Sequence, residues 1–241
     1  MKKKTFLKAH WKNIVMVNYE IDPQILRSYL PAGVTIDTYQ NQCFVSLVGF
    51  EFKGCKIAGI PIPYFGNFEE INLRFYVKRR DGAIEKRGVV FISELVPHTT
   101  VAVLANRLYK EHYTSCKIKY KYELAHAEKR LEYRWAINNG SYHIKAKFQN
   151  EESAIVPGTL EEFIYEHYYG FTKVTETETW EYTVNHPRWH INAPTEVEVQ
   201  CDFGKIYGPD FSFLNQQEPY SVYNAVGSDV TIDWEINKIK V

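Results

Sequence analysis

Four polar side chains recur at every second position in Glu70-Ile-Asn-Leu-Arg-Phe-Tyr76: Glu70, Asn72, Arg74 and Tyr76. A carboxylate, an amide, a guanidinium and a phenol can together bind an anion, orient a carbonyl and move a proton. In an extended chain these four emerge on one face, and Ile71, Leu73, Phe75 and Val77 take the other. Glu70 and Arg74 then stand roughly 13 Å apart along the strand. They do not pair directly, so each needs solvent, a cross-strand residue or a ligand. The face is either a wet sheet surface or the wall of a pocket.

Other polar groups sit at element ends. Arg107, His112 and Tyr113 fall at and beyond the end of an expected helix, where Arg and His also complement the helix dipole. Glu166 and Tyr168 are expected on a later helix. In His186-Pro-Arg-Trp-His190 the two histidines share a face only if the chain is extended, and no metal site is expected from that spacing. Trp189, beside Pro187, reads first as a packing residue. Lys110 reads as an exposed helix lysine. The chain contains no G-x-S-x-G elbow, P-loop or G-x-G-x-x-G fingerprint.

Strand patterns must position these groups. Asn13–Tyr19 and Cys43–Phe52 are rich in β-branched and aromatic residues. Ile71–Lys78 and Val89–Leu95 flank the charged turn Arg79-Arg80-Asp81-Gly82 and predict a hairpin. Lys117–Tyr122, Leu131–Ile137 and Tyr142–Phe148 alternate polar with apolar residues around Asn138-Asn139-Gly140, which predicts an antiparallel meander with a wet, lysine-bearing face. Later strands are expected over Thr172–Val184, Glu196–Cys201 and Val230–Ile239. Three helices interrupt them. One opens at Asp22-Pro23 and runs to about Tyr29. A second runs from Thr99 or Thr100 to Tyr109, with Val103, Leu104 and Leu108 on one side. A third runs from Leu160 to about Tyr169, between the capping box Thr159–Glu162 and Gly170. The expected fold class is α+β, mainly antiparallel β, with a sheet that curls or closes into a barrel to manage its edges. Residues 1–241 read as a single domain without repeats or linkers.

Composition narrows the function classes. Lys+Arg and Asp+Glu both total 29, so the basic surplus of a phosphate-backbone binder is absent and no nucleic-acid partner is expected. The one dense basic run, Lys2-Lys3-Lys4, reads as a solvated terminus. Lys8, His10 and Lys12 interrupt any export signal, and no window approaches the roughly 20 apolar residues of a membrane helix. Cys43, Cys55, Cys116 and Cys201 are scattered without a C-x-x-C pair, as expected for reduced thiols in a cytoplasmic protein. With aromatics at 15%, including 18 tyrosines, half-buried sheets are expected, because tyrosine packs its ring and keeps its hydroxyl paired or wet.

Several segments together resemble a known family. Asn13-Ile-Val through Tyr19-Glu-Ile-Asp-Pro, Leu26, Leu30-Pro-Ala-Gly-Val and Ile36-Asp37 are followed by Phe44–Phe50, Glu70–Val77 and Gly88–Leu95. Glu166-His-Tyr168 and His186-Pro-Arg-Trp189 complete the order. The set is similar to the YqjF-like family of unknown function, within the acetoacetate decarboxylase-like superfamily, and covers most of the chain. The resemblance implies an antiparallel barrel around a ligand cavity, no cofactor, and a homo-oligomer of unspecified size. Superfamily decarboxylases use a lysine Schiff base tuned by a second lysine. Here the matching positions fall near Tyr113 and Thr114, the supporting glutamate position near Val45, and the arginine position near Ala9, so decarboxylase chemistry does not carry over. The family's polar pattern does carry over: Glu70, Asn72, Arg74, Arg107, Glu166, Tyr168, His186 and Trp189, although His167 stands where arginine is usual.

Tyr76 and Tyr113 join these as candidate ligand-binding residues. The first expectation is a cavity for a small carboxylate or carbonyl compound, with Arg74 or Arg107 anchoring the anion. The second is an enzyme doing acid–base chemistry on a small oxo compound through Glu70 or Glu166, with Tyr113 or His112. The third is a non-catalytic interaction protein.

Overall fold

The computed structural model describes residues 4–149 and 151–241, so Lys2 and Lys3 of the basic run lie outside the described residues. The chain is α+β and dominated by antiparallel strands. A 13-stranded sheet curls until it meets itself. Its closed part runs through Ser221–Asp233, Thr5–Glu20, Phe44–Ile57, Phe68–Asp81, Ile84–Val96, Tyr169–Lys173 and Glu178–Asn185. The last strand returns to the first by pairing Val184 with Ile232 and Asn185 with Thr231. Closure leaves few strand edges unpaired.

One seam of the ring is parallel, with Tyr169 opposite Gly88 and Gly170 opposite Val89. Glycine is required on both sides of this seam. A Cβ on Gly88 would lie 2.4 Å from the Tyr169 carbonyl oxygen, and one on Gly170 would lie 2.1 Å from Tyr182 Cζ.

A separate 4-stranded sheet is built from Lys117–Ala125, Glu128–Ile137, Gly140–Gln149 and Pro194–Gln200. Leu131, Tyr133, Trp135, Ile144 and Phe148 are buried on its inner face, and Arg130 and Arg134 stay exposed. Those apolar side chains share a core with Val15, Val17, Leu47, Leu73 and Phe75 of the ring. The Phe68–Asp81 strand is therefore covered on both faces. Ile71, Leu73, Phe75 and Val77 point toward the second sheet, and Glu70, Asn72 and Tyr76 are buried on the ring's inner side at 2%, 1% and 0% exposure. A wet sheet face is excluded for these three.

The hairpin, the meander and the capping box fold as expected: Asp81 pairs with Ile84, and Thr159 accepts a hydrogen bond from the Glu162 N–H. Several boundaries differ. The helix expected from Asp22 is a short 3-10 turn, Ile25–Ser28, and the Asp22 carboxylate accepts from the Gln24 N–H ahead of it. The third helix stops at Tyr165, so Glu166 and Tyr168 follow it, and Gly170 lies in a strand rather than ending a helix. Thr172–Val184 divides into two strands of a hairpin. Val230–Ile239 divides into the end of Ser221–Asp233 and Asn237–Lys240. The helical segments Phe203–Tyr207 and Pro209–Asn215 were not expected; Phe203, Phe211 and Leu214 bury against the core shared by the ring and the 4-stranded sheet.

Candidate functional site

The ring's interior holds a cavity of about 70 Å³ to which every strand of the ring contributes. Trp11, Ile14 and Met16 come from the first strand, and Val48, Phe50 and Phe52 from the next. Glu70, Asn72 and Arg74 form one wall and Val89, Phe91 and Glu94 the adjoining one. Tyr169, Tyr182, Val184 and Ile232 close the circle. Tyr165, His167, His186 and Trp189 reach in from the segments after the short helix and after the Glu178–Asn185 strand. Strand alternation explains the inward set: Glu70, Asn72 and Arg74 are two apart, and Asn72 lies opposite Glu94.

One end of the cavity is rich in donors. Arg74 makes no ion pair among the described residues. Its Nη2 donates to the Ile164 carbonyl and toward Met16 Sδ, each at 3.4 Å, and its buried Nε has no protein partner. Trp11 Nε1 and the Tyr165 hydroxyl are likewise buried without a partner. Such groups are costly to leave unsatisfied, at about 1–3 kcal/mol each. The ring of His186 stacks on Trp189 at 4.1 Å and 15°, and burial holds its pKa below the ordinary value. Burial, and then the Arg87 and Arg74 charges, hold His167 down at about 4 against the raising pull of Asp37, so its ring is neutral at pH 7. Asp37 itself stays ionised: burial raises it, but the His167 ring 3.5 Å away and the Arg87 guanidinium, which donates at 2.7 Å, hold it below the usual carboxylate range.

The other end is acidic and dry. Glu70 accepts from Asn72 Nδ2 at 2.9 Å and from the Tyr113 hydroxyl at 3.2 Å. Burial pushes Glu70 up to about 7, against the lowering pull of Asn72, Tyr113 and Arg74. Glu94 is 2% exposed; burial, then the charges of Glu111 and Glu70, raise it well above the usual range. Glu111 accepts from Thr172 Oγ1 at 2.6 Å and Tyr182 at 2.9 Å, and burial raises it to about 7. Behind this end lies an apolar chamber of about 160 Å³, which shares Phe52, Glu70, Tyr113 and Tyr182 with the polar cavity.

Of the residues singled out from the sequence, Glu70, Asn72, Arg74, Tyr113, His186 and Trp189 line this one cavity. Glu166 and Tyr168 do not. Glu166 accepts from the Tyr168 hydroxyl and pairs with Arg188 Nε at 3.2 Å, while the Tyr168 ring tilts against His186 at 4.7 Å. The two therefore brace His186 from behind. Tyr76 is fully buried, its hydroxyl shared with Ser46 at 2.5 Å and its ring against Phe163 and His167, so its polar group is already used. Arg107 is exposed on the last turn of the Thr99–Tyr109 helix and lines no part of the cavity; the helix borders only the apolar chamber, through Val101, Leu104 and Leu108 on its other face. Of the two arginines named as candidate anchors, Arg74 lines the cavity and Arg107 does not. His112 and Lys110 are exposed as well.

Sequence reasoning missed Trp11, Glu94, Glu111, Tyr165 and Tyr182. Glu94 carried a signal, a lone acid inside the apolar run Val89–Val96. Glu111 carried none. Among the described residues, no group of three or more His, Cys, Asp or Glu side chains is arranged to hold a metal, and no helix is long and apolar enough to cross a membrane.

Residues 8–229 match the model of the DUF2071 family, an uncharacterized conserved protein. The uncharacterized protein YqjF of Bacillus subtilis (strain 168) is 25% identical over 198 residues, which covers 80% of this chain and 78% of that one. An acetoacetate decarboxylase-like enzyme from Sphingomonas wittichii RW1 superposes with a TM-score of 0.66 at 13% identity, covering 98% of this chain and 94% of that one. The enduracididine biosynthesis enzyme MppR complexed with pyruvate superposes with a TM-score of 0.64 at 11% identity, covering 99% and 91%. Those two likenesses concern the fold. By its sequence, the chain belongs to the DUF2071 family and is YqjF-like, carried on an acetoacetate decarboxylase-like fold.

Proposed function

We propose that the ring cavity binds a small carboxylate or carbonyl compound, with Arg74 as its anchor. The observation that carries this reading is a guanidinium without a carboxylate partner among the described residues, its Nε buried and unpaired, in a cavity that also holds two buried donors without partners, Trp11 Nε1 and the Tyr165 hydroxyl. A carboxylate placed there takes a charge-assisted hydrogen bond from Arg74, and its second oxygen or a neighbouring carbonyl takes the remaining donors. The fold neighbour complexed with pyruvate supports a compound of that size and charge. Among the described residues no lysine lines the cavity, which supports binding without a Schiff base.

Trp11 and Trp189 both line the cavity, so tryptophan fluorescence is a direct readout. Titration with pyruvate is expected to quench the native protein saturably. Arg74→Ala is expected to weaken binding about 30-fold or more, the loss of a charge-assisted bond of about 2–3 kcal/mol. Affinity unchanged in a folded Arg74→Ala protein would contradict the reading.

A further inference from the structure

Two carboxyl groups in the cavity have no task in simple binding. Glu70 and Glu94 sit on neighbouring strands, and Asn72 stands between them as the residue paired with Glu94 and two positions from Glu70. Both are 2% exposed. Holding two carboxyls so close in a dry site is costly unless their protons are used. Two groups with unused hydrogen-bonding capacity line the same cavity and point to a ligand within it. Asn72 is 1% exposed and its Oδ1 accepts nothing, and Tyr165 is 2% exposed and its hydroxyl donates to nothing.

We propose that Glu70 is the base and Glu94 the acid of a proton transfer at the carbon beside the carbonyl of a bound oxo acid, so that the site forms an enol. This rests on the reading of Arg74 as the carboxylate anchor. Arg74, Asn72 and Glu70 line one cavity from one strand, and an oxo acid reaches Arg74 and Glu70 together only where their long side chains converge across Asn72, its carboxylate at Arg74 and its next carbons on the Glu70 side. The Glu70 carboxylate takes a hydrogen from that carbon: the C–H bond breaks and an O–H bond forms on Glu70. The electron pair moves into a C=C bond and onto the carbonyl oxygen. The Glu94 carboxyl gives that oxygen its proton, and Asn72 Oδ1 accepts the resulting enol O–H. Reversal returns both protons. No oxidant, metal or imine enters the balance.

The environment divides the two roles. Burial comes first for both and Tyr113 lowers both, but the Asn72 hydrogen bond and the Arg74 charge hold Glu70 lower still, whereas the Glu111 and Glu70 charges push Glu94 higher. Near neutral pH one is available as a carboxylate and the other as an acid, the arrangement by which paired carboxyls run acid–base chemistry. Cys55 is not a competing base, because burial raises its thiol to about 11. Tyr113 is held protonated by burial and by the Glu70 and Glu94 charges, and donates to Glu70.

The test follows the methyl and methylene hydrogens of pyruvate and 2-oxobutanoate in deuterium oxide by proton NMR, using the full-length chain. The native protein is expected to exchange them well above the buffer rate. Glu70→Gln is expected to slow exchange about 100-fold or more, while pyruvate still quenches tryptophan fluorescence. Glu94→Gln, which keeps a donor, is expected to retain part of the rate and to lose its dependence on an acidic proton. Native protein that binds pyruvate but exchanges at the buffer rate overturns the proposal, and so does exchange that survives in both variants. If Glu70→Gln does not fold, Glu94→Ala decides: undiminished exchange overturns the assignment and a loss supports it. Failure of the native protein to bind either acid overturns the cavity reading itself, and the proton transfer falls with it.

Discussion

Arg74 and Arg79 lie on the same strand and meet opposite fates. Arg79 donates to Glu181 at 3.0 Å and reaches Asp81 at 3.4 Å, and Lys86 donates to the same Glu181 at 2.6 Å. Two cations face two carboxylates, and each charge has its partner in the chain. Further along, among the described residues, Arg74 has no carboxylate in an ion pair, and Glu70, Glu94 and Glu111 have no cation beyond the pull of Arg74 on Glu70. The first region is a closed account that holds the Glu178–Asn185 strand beside the hairpin. In the second, separated charges and orphaned donors surround a cavity. An ion network that satisfies itself reads as structure, and one left incomplete inside a fold reads as a place for something else.

Breaking the paired region should cost stability and spare binding. Glu181→Ala leaves Arg79 and Lys86 beside each other with only Asp81 to share, and the urea midpoint is expected to fall by the equivalent of about 3–4 kcal/mol. The folded fraction should keep its pyruvate affinity.

The unpaired acids should respond in the opposite direction. A carboxyl whose pKa is raised by folding contributes its full stability below the unfolded value and loses it as pH rises through the folded value. For Glu111 that window runs from the ordinary 4.5 to about 7. Glu111→Gln keeps an acceptor for Thr172 and Tyr182 and cannot ionise. The substitution is expected to stabilise the protein by about 2–3 kcal/mol at pH 8 and hardly at all near pH 4.5, as read by denaturant titration at both pH values. Stabilisation that is equal at both would show that Glu111 carries no charge penalty.

The smallest effect belongs outside both regions. Lys110 is the C-cap of the exposed helix, 6.0 Å from the Trp180 ring. Lys110→Ala should leave pyruvate quenching unchanged, and borohydride with pyruvate should leave no adduct on Lys110. Either departure would move the chemistry to the helix.

How much of this was legible in the chain follows from periodicity. The Glu70–Tyr76 alternation placed an acid, an amide and a guanidinium on one face, and strand geometry alone ruled out a direct Glu70–Arg74 pair. What it could not show was that Tyr76 would spend its hydroxyl on Ser46 or that ring closure would turn this face inward. Both depend on contacts between residues far apart in sequence. Arg107 was not placed by its type alone, because the helix borders the apolar chamber through Val101, Leu104 and Leu108 while Arg107 lies on the exposed face. Glu166 and Tyr168 misled because the short helix ends at Tyr165, which turns the pair away from the cavity and behind His186. Glu111 had no local signature, since its two hydrogen-bond partners come from the hairpin beyond the third helix.

The most direct measurement is a crystal structure grown with pyruvate or 2-oxobutanoate. The account predicts the ligand inside the ring, its carboxylate within hydrogen-bond reach of Arg74 and its methyl or methylene carbon facing Glu70. A ligand held elsewhere, or Arg74 turned out of the ring toward solvent, would contradict it.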